Sequence, residues 1–242
     1  MRRRWLAVGV LLLAGCAAQP PVPDWRLDLR QAVEQGRAAE LEARDRVAAL
    51  HWARAQRAAR SAADPQALAR VALVRCALRL AAAQPGACPS AEPYLEDAGA
   101  VERAYAAWLA GAAPAAVRRG ADKDVNLPAA PQALAVLNGA RGATDTLTVL
   151  RGIDDPLSRL VAGGWLWQAG QLDADGVRLM VETAAAQGWR RPLAAWLAVQ
   201  RRWAERRGDA TTAGQAERRL RWLGVEQAVA ADQAPDERAT SP

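Results

Sequence analysis

Nearly every stretch of this chain is written in helix formers, and what interrupts them is aspartate, proline or glycine. Ala, Leu, Arg, Glu and Gln dominate, there is a single isoleucine (Ile153) and no phenylalanine, and runs of alternating Val, Ile, Thr and Tyr are missing. Strands are built from β-branched and aromatic residues at period two, whereas Ala and the straight-chain residues lose least freedom in a helix. The 242 residues are 51% hydrophobic, enough to bury a sizeable core and too rich in apolar residues for a disordered chain. The pattern therefore predicts an all-α fold.

The punctuation divides the chain into segments. Asp24 is expected to cap a first long helical segment reaching about Ala63, with Glu40–Arg44 and Glu42–Arg46 at i,i+4 spacing, Gly36 as a bend, and Arg54, Arg57 and Arg60 at the dipole-favoured end. Asp64-Pro65 is both a stop and a restart, with Asp at N-cap and Pro at the first helical position. The next helix, to about Ala83, sets Leu68, Val71, Ala72, Cys76 and Leu80 along one face, and Gln84-Pro85-Gly86 ends it. Residues 90–120 hold one or two helices around Leu95, Val101, Tyr105, Trp108 and Leu109. The polar, proline-bearing stretch from Gly120 to Pro131 reads as a joint, followed by short helices near 131–138 and 144–151. Asp155-Pro156, Asp173 or Asp175, Arg191-Pro192 and Asp209 open four more, the last ending near Leu223. A helical region over 24–120 and helical hairpins over 121–223 are thus expected. The acidic tail 224–242 has no apolar period and is expected to be disordered.

The N-terminus supplies the most specific signal. Arg2, Arg3 and Arg4 precede an apolar stretch from Trp5 to Ala14, which ends in Leu13-Ala14-Gly15-Cys16. The stretch is well short of the ~20 residues a spanning helix needs, and fits the apolar region of a signal peptide. Its end resembles the lipobox of bacterial lipoproteins, which reads aliphatic, small, small, cysteine. Small residues let a peptidase reach the backbone, and the thiol is the group that a diacylglyceryl transferase alkylates. The resemblance implies removal of residues 1–15, acylation (palmitate among the chains) of Cys16, and anchorage in a bilayer, where several acyl chains hold far more firmly than one. Ala17 stands where an aspartate would mark inner-membrane retention, so the outer membrane, periplasmic face, is the expected address. Residues 16–23 include Gln19-Pro20-Pro21-Val22-Pro23, a stiff extended tether. Losing the signal also lowers the net charge from +6 to +3, a weak field for any polyanion, and nucleic acid is not an expected partner.

The last third resembles tetratricopeptide repeats. Gly208-Asp209 followed by Ala213, with Trp196 and Trp203 upstream, is similar to the inter-helix turn of such a repeat, and Gly163 and Gly170 fit the small positions one unit earlier. Gly170 to Gly208 spans 38 residues against the family's repeat of about 34, and Leu220 replaces the usual late alanine. What the resemblance implies is stacked helical hairpins, a tetratricopeptide-like solenoid or an irregular helical array.

Two further constellations stand out. Cys76 and Cys88 are the thiols left once Cys16 is acylated, and an oxidising compartment favours their pairing. A helix from Cys76 to Gln84 climbs about 12 Å, and four extended residues return about 13 Å to Cys88; a bridge is therefore feasible, with a stabilising role. Trp189, Trp196 and Trp203 fall seven apart, on one face with Leu193 and Leu197. Around them lie Arg190, Arg191, Arg201, Arg202, Arg206 and Arg207, then Arg218, Arg219 and Arg221 on the following helix. Over 189–223 this gives nine arginines against Glu205, Asp209 and Glu217, while residues 16–188 are balanced and the tail is acidic. The stripe reads either as hairpin core flanked by solvated arginines or as a basic, aromatic-lined face for an acidic partner, lipid phosphate or lipopolysaccharide.

Signals for chemistry are weak. His51 has no ligand-type neighbour at i±4, serines are few, and Gly163-Gly164 sits inside an apolar run, where small residues mean close helix contact. Asp154-Asp155 and Asp173/Asp175 precede helices and read as caps, and Glu182 is not singled out as one of the facing carboxylates a glycosidase needs. No catalytic residue, metal site, cofactor or small-molecule substrate is predicted. The expected function is a non-catalytic scaffold or adaptor for another envelope protein, in assembly or secretion. The alternatives are a helical cell-wall (peptidoglycan) enzyme and a structural binder of lipopolysaccharide or wall polymer.

Overall fold

The computed structural model describes residues 22–113, 125–135 and 143–224. Among the described residues there are eleven α-helices and no strand: α1 (Asp24–Leu41), α2 (Asp45–Ser61), α3 (Pro65–Ala81), α4 (Glu92–Leu95), α5 (Ala100–Leu109), α6 (Ala130–Leu134), α7 (Ala143–Arg151), α8 (Pro156–Gln168), α9 (Ala174–Ala186), α10 (Arg190–Arg206) and α11 (Ala210–Leu223). Adjacent helices pair into hairpins and the hairpins stack, so the fold is an all-α helical array. The signal segment with Cys16, most of the tether, and the acidic tail beyond Gly224 lie outside the described residues, as does most of the expected joint.

Asp24 is not a cap: it is the first residue of α1, whose N-cap is Pro23, and it serves there as an acidic group in the first turn. Four other aspartates act as the sequence predicts. Asp64, Asp155, Asp173 and Asp209 each accept a hydrogen bond from the backbone N–H three residues on, at 2.9, 2.8, 2.8 and 3.0 Å, and so satisfy one orphan donor of the first turn. Pro65 and Pro156 follow their caps, where a missing N–H costs nothing.

The first segment is not one helix. It folds back at Glu42-Ala43-Arg44 into the antiparallel pair α1 and α2, with Ala43 in the left-handed region at φ 60°. The turn holds neither glycine nor proline, which is why local composition does not announce it. The expected i,i+4 pairs do not form across the turn: Arg44 pairs with Glu42 at 2.8 Å, and Glu40 accepts from Trp52 Nε1 at 3.0 Å. Gly36 is no bend either. It lies against the Trp52 ring, which a Cβ there would meet at 2.9 Å.

Helix α3 is the centre of the array. Instead of one apolar face it buries residues all round, including Ala69, Leu73, Val74, Ala77 and Leu78, because the α1–α2 hairpin, α5 and α8 all pack on it. The α3–α8 crossing is close: a Cβ on Gly164 would fall 1.9 Å from the Leu80 carbonyl oxygen, and one on Gly163 2.0 Å from Met180 Sδ on α9. This is the close helix contact expected of the two small residues. From α8 the array continues through α9, α10 and α11. One continuous core runs from Leu29 to Leu220, and both the 24–120 and 121–223 regions contribute to it.

Candidate functional site

The α10–α11 hairpin carries the aromatic and basic residues singled out from sequence. Helix α10 turns its apolar face inward, and that decides the tryptophans. Trp196 is fully buried, donates from Nε1 to the Ala81 carbonyl at 2.8 Å, and meets Trp167 edge-on at 6.4 Å between ring centroids. It belongs to the core and offers no surface to a partner. Trp189, at the N-cap of α10, is half-buried against the core. Trp203 is half-buried, with the Arg207 guanidinium 3.9 Å from its ring centroid, a cation–π arrangement.

The arginines divide into used and unused. Arg190 donates to the Leu223 carbonyl at 2.7 Å and so caps the C-terminus of α11. Arg191 donates to the Glu40 carbonyl at 2.8 Å and pairs with Asp45, locking the start of α10 onto the α1–α2 turn. Arg201 is half-buried and pairs with Glu205 at 3.5 Å. Arg206, Arg207, Arg218 and Arg221 are exposed, and Arg202 and Arg219 are half-buried. Between Arg218 and Arg221 on one side and Gly224 on the other stands a residue the sequence reading passed over. Trp222 is 80% exposed, more than any other large hydrophobic side chain among the described residues. Its phase gave the signal, since it lies some 200° round the helix from buried Leu220.

Asp209 at the head of α11 is held below the ordinary carboxylate range by hydrogen bonds from Thr212, side chain first and then backbone. Across the molecule, Arg54 donates to Asp28 at 3.3 Å through Nε and also through Nη2. That contact draws the Asp28 carboxyl down and the Arg54 guanidinium up.

The buried charges form a structural node. Glu102 is 0% exposed and Arg70 2%; Arg70 Nε donates to Glu102 Oε1 at 2.6 Å, and Gln66 Nε2 donates to the same oxygen at 3.2 Å. Arg70 Nη1 also donates to the Val125 carbonyl at 3.2 Å, so the pair ties α3, α5 and the 125–129 segment together. Nearby, Tyr105 donates to the Pro128 carbonyl at 3.2 Å, and burial pushes its phenol far up.

The remaining sequence candidates fall as follows. Cys76 and Cys88 lie at disulfide distance, with sulfurs 2.08 Å and α-carbons 5.7 Å apart, fastening the segment after α3 back onto that helix. His51 is half-buried on α2 next to Trp52. Glu182 is exposed, 3.8 Å from Arg178. No group of three or more His, Cys, Asp or Glu that could hold a metal ion occurs among the described residues, and no helix among them is long and apolar enough to cross a membrane. Compared with known proteins, the chain matches no family model, no curated protein and no solved structure.

Proposed function

We propose that the chain is a lipoprotein anchored through Cys16 in the outer membrane, facing the periplasm, and that it works as a non-catalytic scaffold or adaptor for another envelope protein. The Leu13-Ala14-Gly15-Cys16 sequence behind a short basic and apolar leader carries this reading. Two features of the fold agree with it. A stacked helical array presents extended surface, and such arrays serve chiefly to hold partners. The Cys76–Cys88 pair at bonding distance suits a compartment where disulfides persist.

The deciding experiment is the intact mass of the chain extracted from membranes, with Cys16→Ala alongside. The expected product begins at Cys16, carries the mass of its acyl chains and partitions with the outer membrane, while the variant is found free of lipid. A native chain that still begins at Met1, with no fatty acid attached, would overturn the reading.

A further inference from the structure

The large hydrophobic side chains exposed among the described residues are Val22, Leu27, Val47, Leu50 and Trp222, and they are sorted to the two ends of the α1–α2 hairpin. Val22 and Leu27 lie where the chain enters α1. The other three lie at the far end of the α1–α2 hairpin. Arg191 ties the start of α10 to Glu40 and Asp45, and Arg190 ties the end of α11 to the same place through the Leu223 carbonyl. Trp222 and the first turns of α2 with Val47 and Leu50 therefore share one pole. It is separated from Asp24 by the 18 residues of α1, about 27 Å of helix.

This pole is basic around its exposed indole. Arg218 stands one turn before Trp222 on the outer face of α11, opposite buried Ala216 and Leu220, with Arg221 beside it. Arg218, Arg221 and Arg46 are exposed and make no ion pair with the described residues. An indole left in water beside unpaired guanidinium groups has the composition of an interface anchor, since Trp and Arg dominate the energetics of contact surfaces. The excess positive charge selects an acidic occupant.

We infer that Trp222, flanked by Arg218 and Arg221, docks an acidic segment of a partner protein that carries an apolar anchor for the indole. The inference rests on the scaffold reading and gives its partner a chemistry. A protein segment is favoured over the chain's own bilayer by position, because Trp222 lies at the end of the α1–α2 hairpin away from Val22, the first described residue on the Cys16 side.

Fluorine NMR of the full acylated chain in detergent, labelled with fluorotryptophan, tests this, with the Trp222 line identified by its loss in Trp222→Phe. The probe is a short synthetic peptide with glutamates around a leucine pair, and its glutamine counterpart is the control. The expected result is that the glutamate peptide shifts the Trp222 line while the glutamine peptide does not. Affinity should fall about tenfold in Arg218→Gln/Arg221→Gln, and again in about 0.5 M salt, with the unfolding midpoint of the variant unchanged. A Trp222 line that neither peptide moves, or that both move equally, overturns the inference. So does a line moved by phosphatidylglycerol vesicles and not by the peptide, which would make the pole a lipid contact. A Trp222 line already shielded from a soluble paramagnetic agent in the free chain also overturns it, by assigning the surface to residues 225–242. Acylation of Cys16 is read by mass on the same sample, so failure of the docking and failure of the lipoprotein reading are told apart.

Discussion

The Trp52 indole rests face-on against the α-carbon of Gly36, where a methyl group would come within 2.9 to 3.1 Å of three of its ring atoms. The contact sets the spacing of the α1–α2 hairpin. In an exposed helix, replacing glycine by alanine stabilises by about 0.5–1 kcal/mol. Here the added methyl must push the hairpin apart, and overfilling a close contact costs about 1–3 kcal/mol. Gly36→Ala is therefore expected to lower stability in urea unfolding. Combining it with Trp52→Leu should cost less than the sum of the two single changes, because the smaller side chain vacates the space the methyl needs.

Ala43, Ala63 and Ala83 all sit at helix ends with positive φ, at 60°, 48° and 55°, while the later turns use Gly170, Gly188 and Gly208 at the same point. An L-residue in this region is strained by roughly 1–2 kcal/mol, partly offset because glycine loses more entropy on folding. Each of Ala43→Gly, Ala63→Gly and Ala83→Gly should raise stability by up to about 1 kcal/mol. Gly208→Ala should lower it by a similar amount, although nothing lies within 4 Å of the added Cβ, since its cost is in the backbone alone. Thermal unfolding of the four variants checks both signs.

These alanine turns also mark where the sequence is legible and where it is not. Helix starts are readable because an N-cap is a side-chain event: Asp64, Asp155, Asp173 and Asp209 are chosen for an oxygen that reaches a backbone N–H. An end made by Ala43 is a backbone event stabilised by the hairpin it permits, and alanine is otherwise the best helix former. The site divides in the same way. The seven-residue spacing of Trp189, Trp196 and Trp203 does not say whether a tryptophan meets core or water: Trp189 is the N-cap of α10 rather than part of its helical face, and Trp196 proves fully buried. The exposed indole belongs to Trp222, off that stripe. The Arg70–Glu102 pair joins residues 32 apart in the chain, beyond any local pattern.

That pair sits where water does not reach, and its two members depend on each other. Removing one leaves an uncompensated buried charge, which costs about 3–5 kcal/mol. Glu102→Leu or Arg70→Met alone is expected to destabilise on that scale. The double variant should be markedly less destabilised than either, because two apolar side chains of similar volume leave no orphaned charge. A double-mutant cycle in denaturant measures the coupling.

Acid should weaken the fold through specific carboxylates. The folded pKa values of Asp28 and Asp209 are depressed, the first chiefly by the Arg54 hydrogen bond and the second by Thr212. Their stabilisation is therefore present above the ordinary carboxylate pKa of about 3.9 and is lost as the pH falls through the lower folded values. Asp28→Asn should flatten the acid limb of a stability-against-pH curve below about pH 4 and leave its shape at neutral pH unchanged. Both groups face solvent, so added salt should shrink the difference.

The cysteines link fold and anchorage in a single count. The chain has three, Cys16, Cys76 and Cys88, and the last two lie at bonding distance. If Cys16 is a thioether, the native chain denatured without reductant should expose no thiol to a colorimetric reagent, and after reduction it should expose two. An unacylated Cys16 adds one thiol to both counts, and an open Cys76–Cys88 pair adds two to the first count alone, so each failure has its own signature. Replacing Cys76 and Cys88 by alanine should cost about 3 kcal/mol, the value for a closed loop of this length. The loss should appear first as opening of the segment between α3 and α4, because Gly86 N–H is held there by Gln168 Oε1 at 2.9 Å and Arg79 donates to the Ala87 carbonyl at 2.8 Å. Hydrogen exchange at Gly86 reads that opening directly, and protection there should fall before protection in the middle of α3.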